Sequence, residues 1–324
     1  MSTDTAQSWS RFLPPALRSW RDAGIILPFA ILFITLSITS QPFLRKTNLL
    51  NILDQQSAIL IIAAAGALIL VSGAIDLSVG ATYALAGCVS AQYALNHSVA
   101  SAVVVGLLLG LGVGIINGII VAIFKINSLI ATLAMSFVIG GLGAKITKGN
   151  LIMLTEKPSY GKIAQSTWLG VTSSIWLMVG VVVVLGFLLT RTTTGRYMIA
   201  AGGNAQAARL AGIRVSLIRI IAFGLSGMAA ALAGIIDASR VLSASAQLGS
   251  TLAFTVLAGI VVGGTSIAGG QGSVWRTVIG VLFIALIGNG FDLLSIDPLY
   301  HQIALGLILL VAVGLDAWGN NRRR

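Results

Sequence analysis

The chain has 324 residues, of which 56% are hydrophobic and only 9% are charged, and its mean hydropathy is +0.97. One globular core cannot bury that much apolar surface, so the composition excludes a soluble domain and predicts an integral membrane protein. The net charge of +11 does not predict a nucleic-acid partner, because the basic residues lie between apolar runs, where they orient membrane spans. Cys88 is the one cysteine, which excludes disulfides and cysteine-metal sites.

Apolar runs predict an all-α, polytopic bundle of about ten membrane spans, at roughly 20 residues each. The runs lie at 24–40, 57–73, 79–95, 100–123, 129–146, 174–190, 217–237, 252–264, 274–290 and 301–317. The polar break at 75–80 is interpreted as a turn at or slightly within the membrane, so eight or nine spans remain the alternative counts. Residues 1–23 are predicted to be a cytoplasmic leader, 24–317 the transmembrane domain, and 318–324 a basic cytoplasmic tail.

The distribution of basic residues favours ten spans with both termini in the cytosol. This topology places 13 of the 20 lysines and arginines inside, which is the bias expected of cytoplasmic loops. The 13 are Arg11, Arg18, Arg21, Lys125, Arg191, Arg196, Arg209, Arg214, Arg219, Arg276, Arg322, Arg323 and Arg324.

Glycines recur every four residues in the fourth run, at 106, 110, 114 and 118. Such a stripe lets a neighbouring backbone approach closely, so this span is predicted to be central in the bundle. Asn117-Gly118 in this span and Asn289-Gly290 in the ninth are candidate echoes of an inverted repeat. Asn117 and Asn289 are also candidates for lining a solute path, although polar residues inside spans equally hold helices together.

Two glycine-rich segments, "SGAIDLSVG" at 72–80 and "GGTSIAGGQGS" at 263–273, are predicted to be cytoplasmic turns. In the first, Asp76 is placed to cap a helix beginning at Leu77, Ser78 is a further acceptor, and the glycines permit a sharp reversal. Simple capping and an inner gate are both open interpretations, and the same two apply to the second turn. The candidate gate residues are Asp76, Ser78, Gly80, Gly263, Gly264, Gly269 and Gly270.

The stretch "TTTGRYMIAAGGNAQAARLAGIRV", at 192–215, is basic and carries no acidic residue. Asn204 is a natural N-cap and Gly212 a natural C-terminal stop, which predicts a helix of about two turns between them. Leu210 with Ala207 and Ala211 gives this helix a small apolar face. A helix this short requires docking to be stable, either on anionic lipid or in a groove of a cytosolic protein. A plain topology-setting loop is the third interpretation.

Sequence motifs for enzyme chemistry are mostly absent. A phosphate loop is excluded, because Glu156 stands where its first glycine would precede Gly161 and Lys162. His-Glu-x-x-His and Gly-x-Ser-x-Gly patterns do not occur. The acidic residues lie at or near predicted span ends, which disfavours a proton-coupled carrier, although Asp76 and Asp237 are near enough to the membrane to keep that alternative open.

The three segments at 72–80, 192–215 and 263–273, in this order and spacing, resemble those of permease subunits of ribose-type sugar ABC importers. The resemblance covers roughly residues 50–315 and has one visible departure, Ala74, where the family commonly has a second glycine. It implies that the segment 191–216 contains the coupling helix, which sits in a cleft of the ATP-hydrolysing subunit. The residues to which it assigns this role are Gly195, Arg196, Gly202, Asn204, Ala208 and Gly212, with Arg209 on the same helix.

The resemblance also implies the partners: a second permease copy, expected to form a homodimer, a cytosolic ATP-binding subunit and an external, periplasmic sugar-binding protein. ATP and Mg²⁺ are then expected on the ATP-binding subunit, and no cofactor or metal on this chain. We therefore expect a non-enzymatic subunit in the bacterial inner membrane, surrounded by lipid, that passes a monosaccharide inward. The alternatives are a stand-alone carrier or facilitator, a permease for a nucleoside or branched-chain amino acid, and a membrane-embedded enzyme.

Overall fold

The computed structural model describes residues 24–249, 251–297 and 299–321. The predicted leader, 1–23, and the last three residues of the predicted tail lie outside this range. The helices of the described range are α1 (Ile26–Thr39), α2 (Lys46–Val71), α3 (Val79–Asn96), α4 (Val99–Ala122), α5 (Ser128–Thr147), α6 (Pro158–Gln165), α7 (Ser173–Arg191), α8 (Thr193–Gly203), α9 (Ala205–Leu210), α10 (Val215–Val241), α11 (Leu252–Val262), α12 (Val274–Leu293) and α13 (Leu299–Asn321). Strand β1 (Ile152–Met153) pairs antiparallel with β4 (Ser243–Ala244), and β2 (Thr167–Trp168) with β3 (Val171–Thr172).

Each of the ten predicted runs coincides with a helix, and the structure is a helical membrane bundle. Among the described residues, six helices are long and apolar enough to cross a membrane, namely α2, α4, α5, α7, α10 and α12. Helices α1 and α11 and the part of α13 from Gln302 to Gly314 are shorter apolar helices, and α3 is in neither group. The count of ten spans and the position of the termini stay predictions.

The bundle is organised around α10, which packs along α4, α3 and α2. The glycine stripe of α4 lies on this contact: a Cβ at Gly110 would be 2.3 Å from the carbonyl oxygen of Gly227, and one at Gly114 would be 2.2 Å from that of Phe223. The stripe therefore brings two backbones together as predicted.

The predicted central position of α4 is wrong. Large side chains on its other face are exposed, including Val104 at 53% and Leu108 at 61%. A single face of small residues can bury only one side of a helix. Helices α10 and α2 instead hold the centre, and most of α2 from Ala58 to Val71 is buried.

Candidate functional site

The basic segment between α7 and α10 contains two short helices, α8 and α9. The hydroxyl of Thr192 caps α8 by accepting the Gly195 N–H at 3.2 Å. The sequence analysis missed α8, although two signals mark it: the threonine three residues before Gly195, and a buried stripe of Gly195, Met198 and Ala201 at helical spacing.

The cap and the stop predicted for α9 are both confirmed. The side-chain oxygen of Asn204 accepts the N–H groups of Gln206 at 3.0 Å and Ala207 at 2.9 Å. Gly212 has a φ of +83°, and the two following hydrogen bonds, from Gly212 N to Arg209 O and from Ile213 N to Ala208 O, are both 3.0 Å. These bonds form a Schellman motif, which fixes where α9 ends.

The residues assigned to coupling divide between two faces. Gly195 and Ala208 are buried, and a Cβ at Gly195 would lie 2.3 Å from the carbonyl oxygens of Leu188 and Leu189. Arg196, Asn204, Arg209 and Gly212 are exposed.

The apolar face predicted for α9, Leu210 with Ala207 and Ala211, is exposed in the structure. Ala208 is the buried residue of this helix, whereas Leu210 is 85% exposed. Leu210 therefore points away from the chain's own core.

The three motifs that the sequence analysis treated separately meet in one place, which we call the glycine junction: Gly73, Gly202, Gly203, Gly269 and Gly270. A Cβ at Gly202 would lie 1.8 Å from the carbonyl oxygen of Val71, and one at Gly269 would lie 2.8 Å from the Cα of Gly73. The N–H of Gly270 donates to the same Val71 oxygen at 2.8 Å. The end of α8 thus contacts both predicted turns directly, backbone against backbone.

Sequence reasoning did not assign Gly73 or Gly203 to the site, and it could not place the three segments together. A signal was present, because each segment carries glycine where no side chain is tolerated. Gly73, Gly269 and Gly270 also have φ between +74° and +86°, which L-residues rarely adopt. Gly263, by contrast, belongs to the packing of α11 on α12, since its Cβ would lie 2.6 Å from the carbonyl oxygen of Arg276. Gly264 also has a positive φ, of 80°.

The segment 72–78 was predicted to be a turn at or slightly within the membrane, and the structure places it deeper. It runs as an extended segment into the bundle, and hydroxyls of α5 satisfy its backbone: Ile75 N donates to Ser128 Oγ at 3.1 Å and Leu77 N to Thr132 Oγ1 at 3.0 Å. Because these side chains replace helical backbone partners, the chain stays unwound until α3 begins at Val79, two residues later than predicted.

Asp76 lies within the bundle, not near a span end as predicted. Its carboxylate accepts the N–H of Ser78 at 2.9 Å and the hydroxyl of Ser226 at 3.1 Å. Ser226 is roughly 16 Å along α10 from Val215, at about 1.5 Å per residue. Asn117 is fully buried beside this segment and donates to Ser78 Oγ at 2.8 Å.

Gly80, the last residue of the first predicted turn, lies in the first turn of α3. A Cβ at Gly80 would be 2.1 Å from the carbonyl oxygen of Gly249, and one at Gly249 would be 1.9 Å from that of Gly80. The chain preceding α11 therefore touches the start of α3 without any side chain between them.

Asn289, a candidate for lining the solute path, contacts α2 in the structure. It forms a reciprocal amide pair with Asn48 of α2, with N–O distances of 2.9 Å and 3.2 Å. Two donors and two acceptors satisfy each other across α2 and α12, which is a helix-joining arrangement.

Comparison with known proteins gives this arrangement a family. A family model described as "Branched-chain amino acid transport system / permease component" matches residues 48–313. The chain belongs to this permease family. The matched region contains the whole glycine junction, the segment 72–78 and both short helices.

Relatives of the permease match it over most of its length. The L-arabinose ABC transporter permease protein AraH of Azospirillum brasilense is 36% identical over 93% of this chain and 89% of the relative. The ribose import permease protein RbsC of Escherichia coli (strain K12) is 36% identical over 90% of this chain and 92% of its own length. The L-arabinose transport system permease protein AraH of the same strain is 37% identical over 95% and 94%. No solved structure matches.

Like its relatives, the permease is a transport subunit and not an enzyme. It is a multi-pass protein of the bacterial inner membrane, and its six long apolar helices agree with that location. Among the described residues, no group of three or more His, Cys, Asp or Glu side chains is placed to hold a metal.

Proposed function

We propose that this chain is the membrane permease of an ABC importer that carries a monosaccharide, a ribose-like pentose or a hexose, into the cell. Support for a sugar comes from three relatives named for ribose or L-arabinose, each at least 36% identical over at least 90% of the chain. The description of the family model names branched-chain amino acids instead. We favour the sugar because the individual relatives align over nearly the full chain.

The observation that carries the coupling role is the contact between α8 and both glycine-rich segments. Helix α9 presents Arg209 and the exposed Leu210 to the cytosol, where a groove of the ATPase would receive them. A push on α9 is transmitted through α8 to Gly202, which touches Val71 and Gly270 by backbone atoms. Such a contact has no flexible side chain to absorb the displacement. The movement therefore reaches the start of the extended segment 72–78.

The chain lacks a phosphate loop, so ATP and Mg²⁺ belong to the partner ATPase. A periplasmic sugar-binding protein would deliver the solute at the opposite face. A second copy of this chain would complete the pathway as a homodimer, and lipid would cover the remaining apolar surface. Exposed residues on α5, such as Phe137 at 74% and Val138 at 57%, supply that surface.

The proposed topology has ten spans and both termini in the cytosol. Its test is labelling of single cysteines introduced by Glu156→Cys and Gln206→Cys, both at exposed positions, with buried Cys88 left in place. A membrane-impermeant maleimide should reach position 156 only from the periplasm and position 206 only from the cytosol. Labelling of both from the same face would refute the topology.

The coupling role is tested by the double variant Asn204→Leu and Gly212→Leu, with every arginine kept. It removes the cap, at a cost of about 1 kcal/mol, and forces a side chain into the left-handed turn at Gly212. We expect normal insertion, loss of the ATPase in pull-downs, and loss of ATP-driven uptake.

The matched control is Gln206→Leu, an exposed position between the two that adds a similar side chain without removing the cap or the stop. If the double variant still binds its ATPase and takes up sugar normally, the segment is a topology signal and not a coupling helix.

A stand-alone carrier is the second candidate, because the carboxylate of Asp76 lies inside the bundle. The two functions differ in their energy source. In proteoliposomes, uptake that requires the ATPase and ATP supports the importer. Uptake driven by a proton gradient without the ATPase would support the carrier. If a nucleoside or leucine competes with the sugar for uptake, that competitor is the transported solute instead.

A further inference from the structure

A cavity of about 290 Å³ lies between α3, α10 and the segment 243–248. It is at the end of α10 opposite the glycine junction, since Asp237 is roughly 33 Å along the helix from Val215 at about 1.5 Å per residue. Its volume is close to the lower end of the range for small-molecule sites, about 300–1,000 Å³. A monosaccharide is among the smallest ligands of that class.

The polar groups of the cavity are arranged as one unit. Arg240 Nη2 contacts Asp237 Oδ1 at 2.6 Å, and the phenol of Tyr83 donates to Asp237 Oδ2. Asp237 Oδ1 is buried against the guanidinium, whereas Oδ2 has acceptor capacity beyond its bond from Tyr83 and the guanidinium has further N–H groups. A fixed carboxylate beside a guanidinium can accept from and donate to neighbouring hydroxyls of one sugar ring. The serines 243 and 245 add hydroxyls to the lining, and the ring of Tyr83 adds an apolar face.

A second contact fixes the Arg240 guanidinium in place. Arg240 Nη1 donates to the backbone oxygen of Asp54 at 3.2 Å, and the carboxylate of Asp54 accepts from the hydroxyls of Thr172 and Ser174. The exposed fractions of the Arg240 and Asp237 side chains are 24% and 19%. An exposed ion pair that served only stability would contribute little. Here the pair is fixed, partly buried and turned toward a cavity.

The contact between Gly80 and Gly249 lies along the same cleft. On one side of it Tyr83 and Leu248 line the large cavity, and on the other side Ala74, Asp76, Val79 and Ala253 line a void of only about 20 Å³. The small void is also lined by Gly66 and Leu70 of α2. Along the chain, the two glycines therefore lie between residues that line the large cavity and residues that line the small void.

We propose that the cavity formed by Tyr83, Asp237, Arg240, Ser243 and Ser245 binds the transported monosaccharide through its hydroxyl groups, with the glycine pair Gly80 and Gly249 closing the way beyond it. This inference rests on the proposed sugar-importer function. It adds a binding site inside the permease, distinct from that of the external binding protein.

The test uses the permease in proteoliposomes with its ATPase and binding protein, and radiolabelled ribose and L-arabinose as probes. Asp237→Asn keeps the size of the side chain and removes the charge, and it should lower uptake about tenfold by weakening charge-assisted hydrogen bonds. Leu248→Trp adds bulk at a residue that is 56% exposed, so it should narrow the cavity without disturbing packing and also lower uptake. ATP hydrolysis stimulated by the binding protein should persist in both variants.

The controls are Asp292→Asn and Leu294→Trp, exposed residues at the end of α12 that do not line the cavity. Their uptake should equal that of the wild type. Normal uptake in both Asp237→Asn and Leu248→Trp would overturn the binding site, as would a parallel loss of uptake and ATP hydrolysis, which indicates a structural role. Failure of the wild type to take up either sugar would instead reject the proposed function, and this site with it.

Discussion

The two ends of α10 are built from opposite kinds of contact. Near Val215, the glycine junction packs backbone against backbone, and Arg219 donates to the Ser72 oxygen at 3.4 Å. At the other end, Asp237 and Arg240 meet Tyr83 through side chains around a cavity. At the first end, Gly202 has no room for an extra methyl group, whereas the second end has room for a small molecule.

This difference separates two tasks of a transport subunit. A contact between backbones changes only if whole segments move, so the junction is suited to passing a displacement from α8 and α9 into the bundle. Side chains around a cavity can exchange one hydrogen-bond partner for another while the helices stay in place, so the opposite end is suited to holding a solute. Substitutions at the junction should accordingly lower the stability of the folded chain, and substitutions at the cavity should lower solute uptake.

The largest effect is expected from Gly202→Ala. The new Cβ would lie 1.8 Å from the Val71 oxygen and 2.6 Å from the Gly270 nitrogen, and backbone atoms cannot move aside cheaply. The free energy of unfolding should fall by more than about 3 kcal/mol, the upper end of the usual overpacking cost. The loss of stability should be seen as a lower yield of monodisperse protein in detergent.

The neighbouring residue provides the matched control. A Cβ at Gly203 would have its nearest contact at 3.9 Å, with the Cα of Gly270, so Gly203→Ala should behave as wild type. Equal yields from the two alanine variants would remove the steric argument for the junction.

An intermediate effect is expected where α4 packs against the middle of α10. In Gly110→Ala the Cβ would lie 2.3 Å from the Gly227 oxygen and 2.4 Å from the Ala231 Cβ. Separating α4 from α10 should cost about 1–3 kcal/mol, measured as a lower midpoint in an SDS unfolding titration. Gly112→Ala, two residues along the same helix, has open space around its Cβ and should leave the midpoint unchanged. Alanine has the higher helix propensity, so a lower midpoint for Gly112→Ala as well would contradict the assignment of the Gly110 effect to packing.

Local features of the chain could be predicted from the sequence because they depend on nearby residues. The Asn204 cap and the Gly212 stop are of this kind, as are the apolar runs and the glycine stripe of α4. Two features depended on tertiary contacts and could not be predicted. Hydroxyls of α5 keep 72–78 unwound inside the bundle, where a turn at or slightly within the membrane was predicted. Only the folded chain brings Gly73, Gly202 and Gly269 together.

The cavity illustrates the same limit. Asp237 and Arg240 are three residues apart on one helix, so their pairing could be expected from spacing. Tyr83 lies 154 positions from Asp237 in the chain, and nothing in its neighbourhood marks it as polar-facing. The backbone contact of Gly87 with Gly234 sets the two helices close enough for the phenol to reach the carboxylate. That approach is a property of the packed bundle.

The smallest effect is expected from the amide pair between Asn48 and Asn289, and it tests whether Asn289 joins helices or lines the solute path. Asn289→Ala removes the reciprocal bonds to Asn48, and an interhelical hydrogen bond of this kind contributes about 0.6 kcal/mol on average. Asn48→Ala should have the same effect, and the double variant should be little worse than either single one, since the two side chains are partners. If joining helices is the whole role of Asn289, sugar uptake per folded permease stays at the wild-type level in all three variants. A drop in uptake for Asn289→Ala that Asn48→Ala does not reproduce would return Asn289 to the solute path, and would place sugar contacts on α12 as well as around the cavity at Asp237.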